Sequence, residues 1–186
     1  MIEIRTHGRG GQGAVIASEI LADAFFREDK YVQAFPAFGV ERRGAPVMAF
    51  TRVSENEIRE RCQIYEPDHL IVLDPILIET VNITSGLKDG GWIIINTNRD
   101  MSDSPLLDRY RIATVDANRI AVKHGLGSRA TPIVNTAILG AFSSATGLVG
   151  LDAVLGAVEG FVPLKKEENA LATKEAYESV STLSRK

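Results

Sequence analysis

Apolar positions recur along this chain in two alternating periods. Ile2 and Ile4 are separated by polar neighbours, which predicts a strand over residues 2–6. The pattern then turns helical, predicting a helix over residues 12–26 with Val15, Ile16, Ile20, Leu21 and Ala24 on one broad face. Residues 31–35 read as a strand stopped by Pro36, and residues 47–53 as a second. The link between them is too short for a crossover helix, so they are expected to pair. His69-Leu70-Ile71-Val72-Leu73-Asp74 is a continuous apolar run, typical of a central strand covered on both faces. Pro75 fits the first turn of a helix reaching about Ile83. Asp89-Gly90-Gly91 turns into a buried strand over residues 92–96, and residues 110–115 form a shorter one. Asp116 is placed to cap a helix over residues 117–124, ended by Gly125 and Gly127. Thr131-Pro132 opens a helix over residues 133–145, where Ala137, Gly140, Ala141, Ser144 and Ala145 permit close packing. A helix follows over residues 151–159. The tail, residues 165–183, is amphipathic, with Ala170, Thr173, Tyr177 and Val180 on one stripe.

Strands alternating with helices predict an α/β fold, a three-layer α/β/α sandwich on a mostly parallel, mixed sheet of Rossmann-like character. No repeat, low-complexity tract or linker divides the chain, so residues 1–186 are expected to form a single domain. Ligands of such sheets gather at the carboxyl ends of the strands. Gly8-Arg9-Gly10-Gly11-Gln12-Gly13 lies there, between the first strand and the first helix, and Gly8, Gly10 and Gly13 fit G-x-G-x-x-G. Small residues let backbone N–H groups and a helix N-terminus approach an anion, and Arg9 adds a positive charge. A tight strand-to-helix turn would need small residues too. The acidic residue that would hold a ribose diol is missing after the second strand, which argues against an NAD-dependent reductase.

The bulk numbers narrow the field. Of 186 residues 45% are hydrophobic and 24% charged, with a net charge of −3, so a nucleic-acid binder working through a basic face is not expected. No apolar run approaches the roughly 20 residues that cross a bilayer, and no leader opens the chain; the expected location is cytoplasmic, with no membrane partner. Cys62 is the only cysteine, which rules out an intrachain disulfide and a cluster held by four thiolates of this chain.

A second segment, Phe35-Pro36-Ala37-Phe38-Gly39-Val40-Glu41-Arg42-Arg43-Gly44-Ala45-Pro46-Val47, combines backbone constraint with charge. It reads either as a tight hairpin with a solvated tip or as a loop in which Arg42 or Arg43 reaches an anion or a partner carboxylate, with Glu41 orienting the guanidinium. Together the glycine loop and Phe38-Gly39-Val40-Glu41-Arg42-Arg43-Gly44-Ala45-Pro46-Val47 resemble the two signature segments of the gamma subunit of 2-oxoacid:ferredoxin oxidoreductases. Glu66-Pro67-Asp68, Thr136-Ala137-Ile138-Leu139-Gly140-Ala141 and the helix from Asn169-Ala170-Leu171 to Tyr177 resemble the family as well, so the likeness covers essentially the whole chain in order. The Glu-Arg-Arg-Gly-Ala-Pro-Val run is more similar to the pyruvate and branched-chain enzymes than to the 2-oxoglutarate enzymes.

The resemblance implies a share in oxidative decarboxylation: a 2-oxoacid, CoA and oxidised ferredoxin give acyl-CoA, carbon dioxide and reduced ferredoxin. It implies a pyruvate synthase type of complex with alpha, beta and ferredoxin-like delta subunits, and ferredoxin as electron acceptor. In that complex thiamine diphosphate with magnesium supports the carbanion chemistry and [4Fe-4S] clusters carry electrons. This chain would hold none of these alone and would be inactive alone. Asp89-Gly90-Gly91 lacks the downstream Asn pattern of a thiamine diphosphate site. No catalytic or metal-ligating residue is therefore expected here. The expected ligand- or interface-binding residues are Gly8, Arg9, Gly10, Gly11, Gln12, Gly13, Glu41, Arg42, Arg43 and Gly44, contacting CoA or closing the site against partner subunits. Alternatives are a branched-chain or indolepyruvate oxidoreductase subunit, or a stand-alone CoA- or nucleotide-binding regulatory protein.

Other residues carry weaker signals. His7 flanks the glycine loop and could serve a ligand or a local hydrogen bond. His69 and His124 are far in sequence from any ligand-like cluster. Asp74 ends a central strand, facing the ligand edge or capping the next helix. Cys62 is expected as a small packing residue. Asn135 either lines the site or satisfies a buried backbone group.

Overall fold

The computed structural model describes residues 1–37 and 44–184. The chain runs β1 (Ile2–Arg9), α1 (Ala14–Phe26), β2 (Tyr31–Pro36), β3 (Pro46–Ser54), β4 (His69–Val72), α2 (Ile76–Thr80) and β5 (Trp92–Asn96). A 3-10 turn (Pro105–Asp108), β6 (Arg111–Val115), α3 (Ala117–Lys123), α4 (Ala137–Thr146), α5 (Leu151–Phe161), α6 (Lys166–Ser179) and β7 (Ser181–Leu183) follow. The strands form one mixed sheet in the order β2-β3-β1-β4-β5-β6-β7. Its centre, β1-β4-β5-β6, is parallel. Both margins are antiparallel, β2 and β3 on one side and β7 on the other.

The two faces are covered unequally. On one, α1, α3, α4, α5 and α6 pack over Ile4, Ile71, Leu73, Ile94 and Ala113. On the other, Leu77 of α2, Ile83, Leu87 and Leu107 cover Leu70, Val72, Ile93, Ile95 and Ile112. Alternation along the parallel strands thus supplies both cores, as expected for apolar runs covered twice. Beyond β1 the thin face is closed by loops that buried arginines hold. Arg5 donates to the carbonyls of Ile83 and Ser85, each at 2.7 Å. Arg52, 1% exposed, pairs with Glu3 at 2.7 Å and donates to the Cys62 carbonyl at 2.8 Å.

Several boundaries differ from the periodicity. In α1 the buried face centres on Ala17, Ile20, Leu21, Ala24 and Phe25, while Ile16, on the predicted stripe, is exposed. α4 begins at Ala137 rather than at Ile133. The Ile133 N–H is tied back to the Leu126 carbonyl at 3.1 Å, and Pro132 bridges to Gly127, so the segment enters the helix extended. α2 stops at Thr80, short of Ile83. The amphipathic tail is helical only to Ser179; its last residues pair with the otherwise open edge of β6, Ile112 opposite Leu183. α6 buries Asn169, Ala172, Thr173 and Ala176, and Gly140 lets α4 approach the Thr173 carbonyl so closely that a side chain there would collide with backbone.

Candidate functional site at the glycine turn

β1 does not end at Thr6. It continues antiparallel to β3, Gly8 opposite Val47 and Arg9 opposite Pro46, so Gly8 is a strand residue. A Cβ on Gly8 would lie 3.1 Å from both Ala14 Cβ and Leu73 Cδ1, so its absence lets α1 and the end of β4 close over the strand. The turn proper is Gly10 to Gly13, with Gly11 and Gly13 at φ +96° and +78°, values that favour glycine. The Gly10 N–H donates to the Ala45 carbonyl at 2.9 Å, and the Gly44 N–H to the Gly10 carbonyl at 3.1 Å. The two motifs therefore meet in space at Gly10, Gly44 and Ala45. Glu41, Arg42 and Arg43 lie outside the described residues.

Arg9 and Gln12 turn inward. The Arg9 guanidinium donates from Nε to Asp74 Oδ2 at 2.7 Å, and the Gln12 amide donates to the same oxygen at 2.9 Å. The Gln12 Oε1 accepts the Arg9 backbone N–H at 2.7 Å, and Asp74 Oδ1 accepts the Ile76 N–H at 3.1 Å. Burial alone would push the Asp74 carboxyl up, but hydrogen bonds from Gln12, Ile76 and Arg9, with the Arg9 charge, hold it below its ordinary value. Asp74 is thus an ionised cap of α2 and the counterion of Arg9, whose charge is committed within the chain. This network sits between β1 and β4, where α1 leaves onto one face of the sheet and α2 onto the other. That reversal is where doubly wound sheets hold ligands.

Beside it opens a cleft of about 260 Å³, lined by residues 9–11, 13–16 and Val47. Gly13 caps α1 with backbone only; the first helical bond runs from Ala17 N–H to the Gly13 carbonyl at 2.9 Å. The N–H groups of Ala14, Val15 and Ile16 have no partner among the described residues, leaving the positive end of a 13-residue helix open to the cleft. A larger hollow of about 650 Å³ lies at the other end of α1, around Phe26 and Tyr31. The donors converge on the smaller one.

Asn135 adjoins this site through Gly13, although it is not among the residues that line the cleft. A Cβ on Gly13 would stand 2.6 Å from Asn135 Nδ2, so the carboxamide lies directly over the α1 N-cap. Its Oδ1 is buried and has no partner among the described residues, so the side chain does not serve a buried backbone group.

The remaining candidates have structural partners. His7 is buried and its Nε2 accepts from Arg5 Nε at 3.0 Å; burial, aided by the Arg5 charge, lowers its pKa to about 3, so it is a neutral acceptor. His69 Nδ1 accepts the Trp92 N–H at 3.1 Å, and His124 meets Glu175 at 2.8 Å. Asp116 caps α3 by accepting the Arg119 N–H at 2.9 Å. Cys62 is exposed, not packed; only its carbonyl is used strongly, by Arg52. Among the described residues no group of three or more His, Cys, Asp or Glu comes together as a metal site. Among them no thiolate or carboxylate set is therefore assembled that would hold an iron–sulfur cluster or a magnesium ion. No helix among the described residues is long and apolar enough to cross a membrane.

A mixed α/β/α sheet with a glycine turn at its reversal point defines a Rossmann-like protein whose cleft presents backbone donors. Residues 3–179 match the family model described as Pyruvate ferredoxin/flavodoxin oxidoreductase, and the chain belongs to that family. It is 56% identical over 183 residues to the Pyruvate/ketoisovalerate oxidoreductases common subunit gamma of Thermococcus kodakarensis, covering 95% of this chain and 96% of the relative. It is 49% identical over 184 residues to the Pyruvate synthase subunit PorC of Methanothermobacter thermautotrophicus, covering 98% of both. The crystal structure of pyruvate oxidoreductase subunit PORC from Thermotoga maritima superposes with a TM-score of 0.78 at 36% identity, covering 97% of both chains. The chain accordingly takes the gamma-subunit role in a multi-subunit 2-oxoacid:ferredoxin oxidoreductase of the pyruvate synthase type. The family resemblance read from the two motifs is borne out, and the stand-alone regulator is set aside.

Proposed function

We propose that this subunit completes the CoA side of the complex's active site, using the α1 N-terminus and the glycine turn as a cradle for phosphate oxygens of CoA. Alpha, beta and ferredoxin-like delta subunits supply thiamine diphosphate with magnesium and the [4Fe-4S] clusters, and ferredoxin takes the electrons. The observation that supports this reading is the open α1 N-terminus: three N–H groups without described partners face a cleft at the reversal point of the sheet. Arg9 does not provide the attraction, because Asp74 neutralises it. Arg42, Arg43 or a partner subunit would supply the net positive charge in this reading. Residues 1–186 act as a single domain in this role. We infer a 2-oxoacid such as pyruvate as substrate, with the side-chain pocket built by other subunits.

Reconstitution tests the reading. Anaerobic mixtures of the other subunits, with and without this chain, are assayed for 2-oxoacid-dependent reduction of ferredoxin. The proposal expects CoA-dependent turnover only with the chain present; equal CoA-dependent turnover without it would overturn the proposal.

A further inference from the structure

Three asparagines of this fold are nearly inaccessible, and two of them are fully used. Asn96 donates from Nδ2 to the Leu73 carbonyl at 2.9 Å and to Asn118 Oδ1 at 3.2 Å, and accepts the Asn118 N–H. Asn169 donates to the Lys165 carbonyl at 2.8 Å and accepts from Thr136 Oγ1 at 2.8 Å. Asn135, 6% exposed, makes no side-chain hydrogen bond among the described residues. The buried orphan is its Oδ1, a net cost that an apolar residue of the same shape would avoid, while Nδ2 is the end that lies against Gly13. Its place is nevertheless rigidly set. On one side Val134 enters the core; on the other the Thr136 hydroxyl is locked to Asn169, and the Thr136 carbonyl accepts from Thr173 at 3.2 Å. The amide is thus held ready over Gly13, where the α1 N–H groups point, with its Nδ2 against the turn.

We propose that Asn135 is a ligand-binding residue of the cleft, donating from Nδ2 to an oxygen of a phosphate or diphosphate held at the α1 N-terminus. The inference rests on the reading of the cleft as an anion cradle and adds to it a side-chain donor that is not used among the described residues. Preorganised in this way, the amide supplies direction that a bare helix terminus lacks. The φ of +78° and the amide above it also explain why position 13 must be glycine: any side chain would displace the donor.

The test uses the full chain labelled with nitrogen-15 and titrated with inorganic pyrophosphate, then with CoA. The proposal expects the Asn135 side-chain NH2 pair to shift with the backbone amides of Ala14 to Ile16 along one saturation curve. In Asn135→Leu, which keeps the shape, melting temperature should hold or rise while pyrophosphate affinity falls at least tenfold. Asn135→Asp, which sets a carboxylate against the anion, should weaken binding further. Shifts of the turn amides without Asn135, or unchanged affinity in the leucine variant, would overturn this inference and leave the cradle standing. No shift of the turn amides with either probe would overturn both.

Discussion

The Arg9 guanidinium on β1 meets the Asp74 carboxylate at the end of β4 across the reversal point of the sheet, with 7% of the Asp74 side chain exposed against 38% of Arg9. One oxygen of Asp74 takes Arg9 and Gln12 while the other caps α2. A single carboxylate thus ties the glycine turn to the next crossover.

Replacing Asp74 by Ala should lower stability by about 2 kcal/mol near neutral pH. Three hydrogen bonds go, each worth about 1 kcal/mol, and the half-solvated Arg9 share is discounted. Because the folded-state pKa of Asp74 is depressed, its contribution is complete above the ordinary carboxyl value and is lost as pH falls through the folded one. Urea unfolding at pH 7 and acid titration of Asp74→Asn measure both: the wild-type advantage should shrink at low pH.

His7 and His69 give stability a second, separate pH dependence. Burial lowers them to about 3 and about 4; Arg5 adds to the effect on His7, while at His69 the opposing pull of Asp68 is outweighed with Arg111 and Lys88. The folded protein keeps both neutral, whereas the unfolded chain takes up protons below about pH 6.5. Stability is therefore full above that value and falls with pH towards the folded pKa values, by at most about 1.4 kcal/mol per unit for each histidine. Denaturation midpoints of His7→Gln, which keeps an acceptor for Arg5, should show a shallower decline between pH 6.5 and 5 than wild type. An equal slope would contradict the assignment.

Three glycines should respond differently to alanine. Gly11→Ala meets nothing within 4 Å among the described residues and suffers only its φ of +96°, about 1 kcal/mol. Gly13→Ala adds a collision with Asn135 and should cost about 2 kcal/mol along with ligand affinity. Gly140→Ala drives a methyl into the Thr173 backbone and should cost about 3 kcal/mol or more by separating α4 from α6. Melting temperatures in that descending order check the ranking.

Most of this architecture was legible from hydrophobic period and punctuation. The apolar runs at residues 69–74 and 92–96 became β4 and β5, and Asp116 capped α3 as its position implied. The pairing of β2 with β3 was legible from their short link, but the more distant pairings were not. β1 runs on to Arg9 because β3 lies beside it, and the tail becomes β7 because β6 has an open edge; neither partner is adjacent in sequence. The glycine motif could be read, but not that Arg9 would be spent on Asp74, 65 residues away. Asn135 carries no local signal beyond being a lone amide entering a small-residue helix; only its placement over Gly13 sets it apart.

Arg42 and Arg43 lie outside the described residues and precede Gly44, which meets Gly10 at the site. Replacing both by Ala should leave the isolated chain's melting temperature within about 2 °C, while lowering CoA-dependent turnover or assembly of the complex at least tenfold. A variant that unfolds would mark the segment as structural instead.

The central claim is that this chain works as the CoA-side subunit of a larger enzyme. Anaerobic affinity purification of the chain from its native cells, with mass spectrometry and assays for iron and thiamine, tests it most directly. The account predicts copurifying chains that carry iron and thiamine diphosphate, in fixed ratio to this one. A chain recovered alone under gentle conditions, free of iron and thiamine, would contradict it.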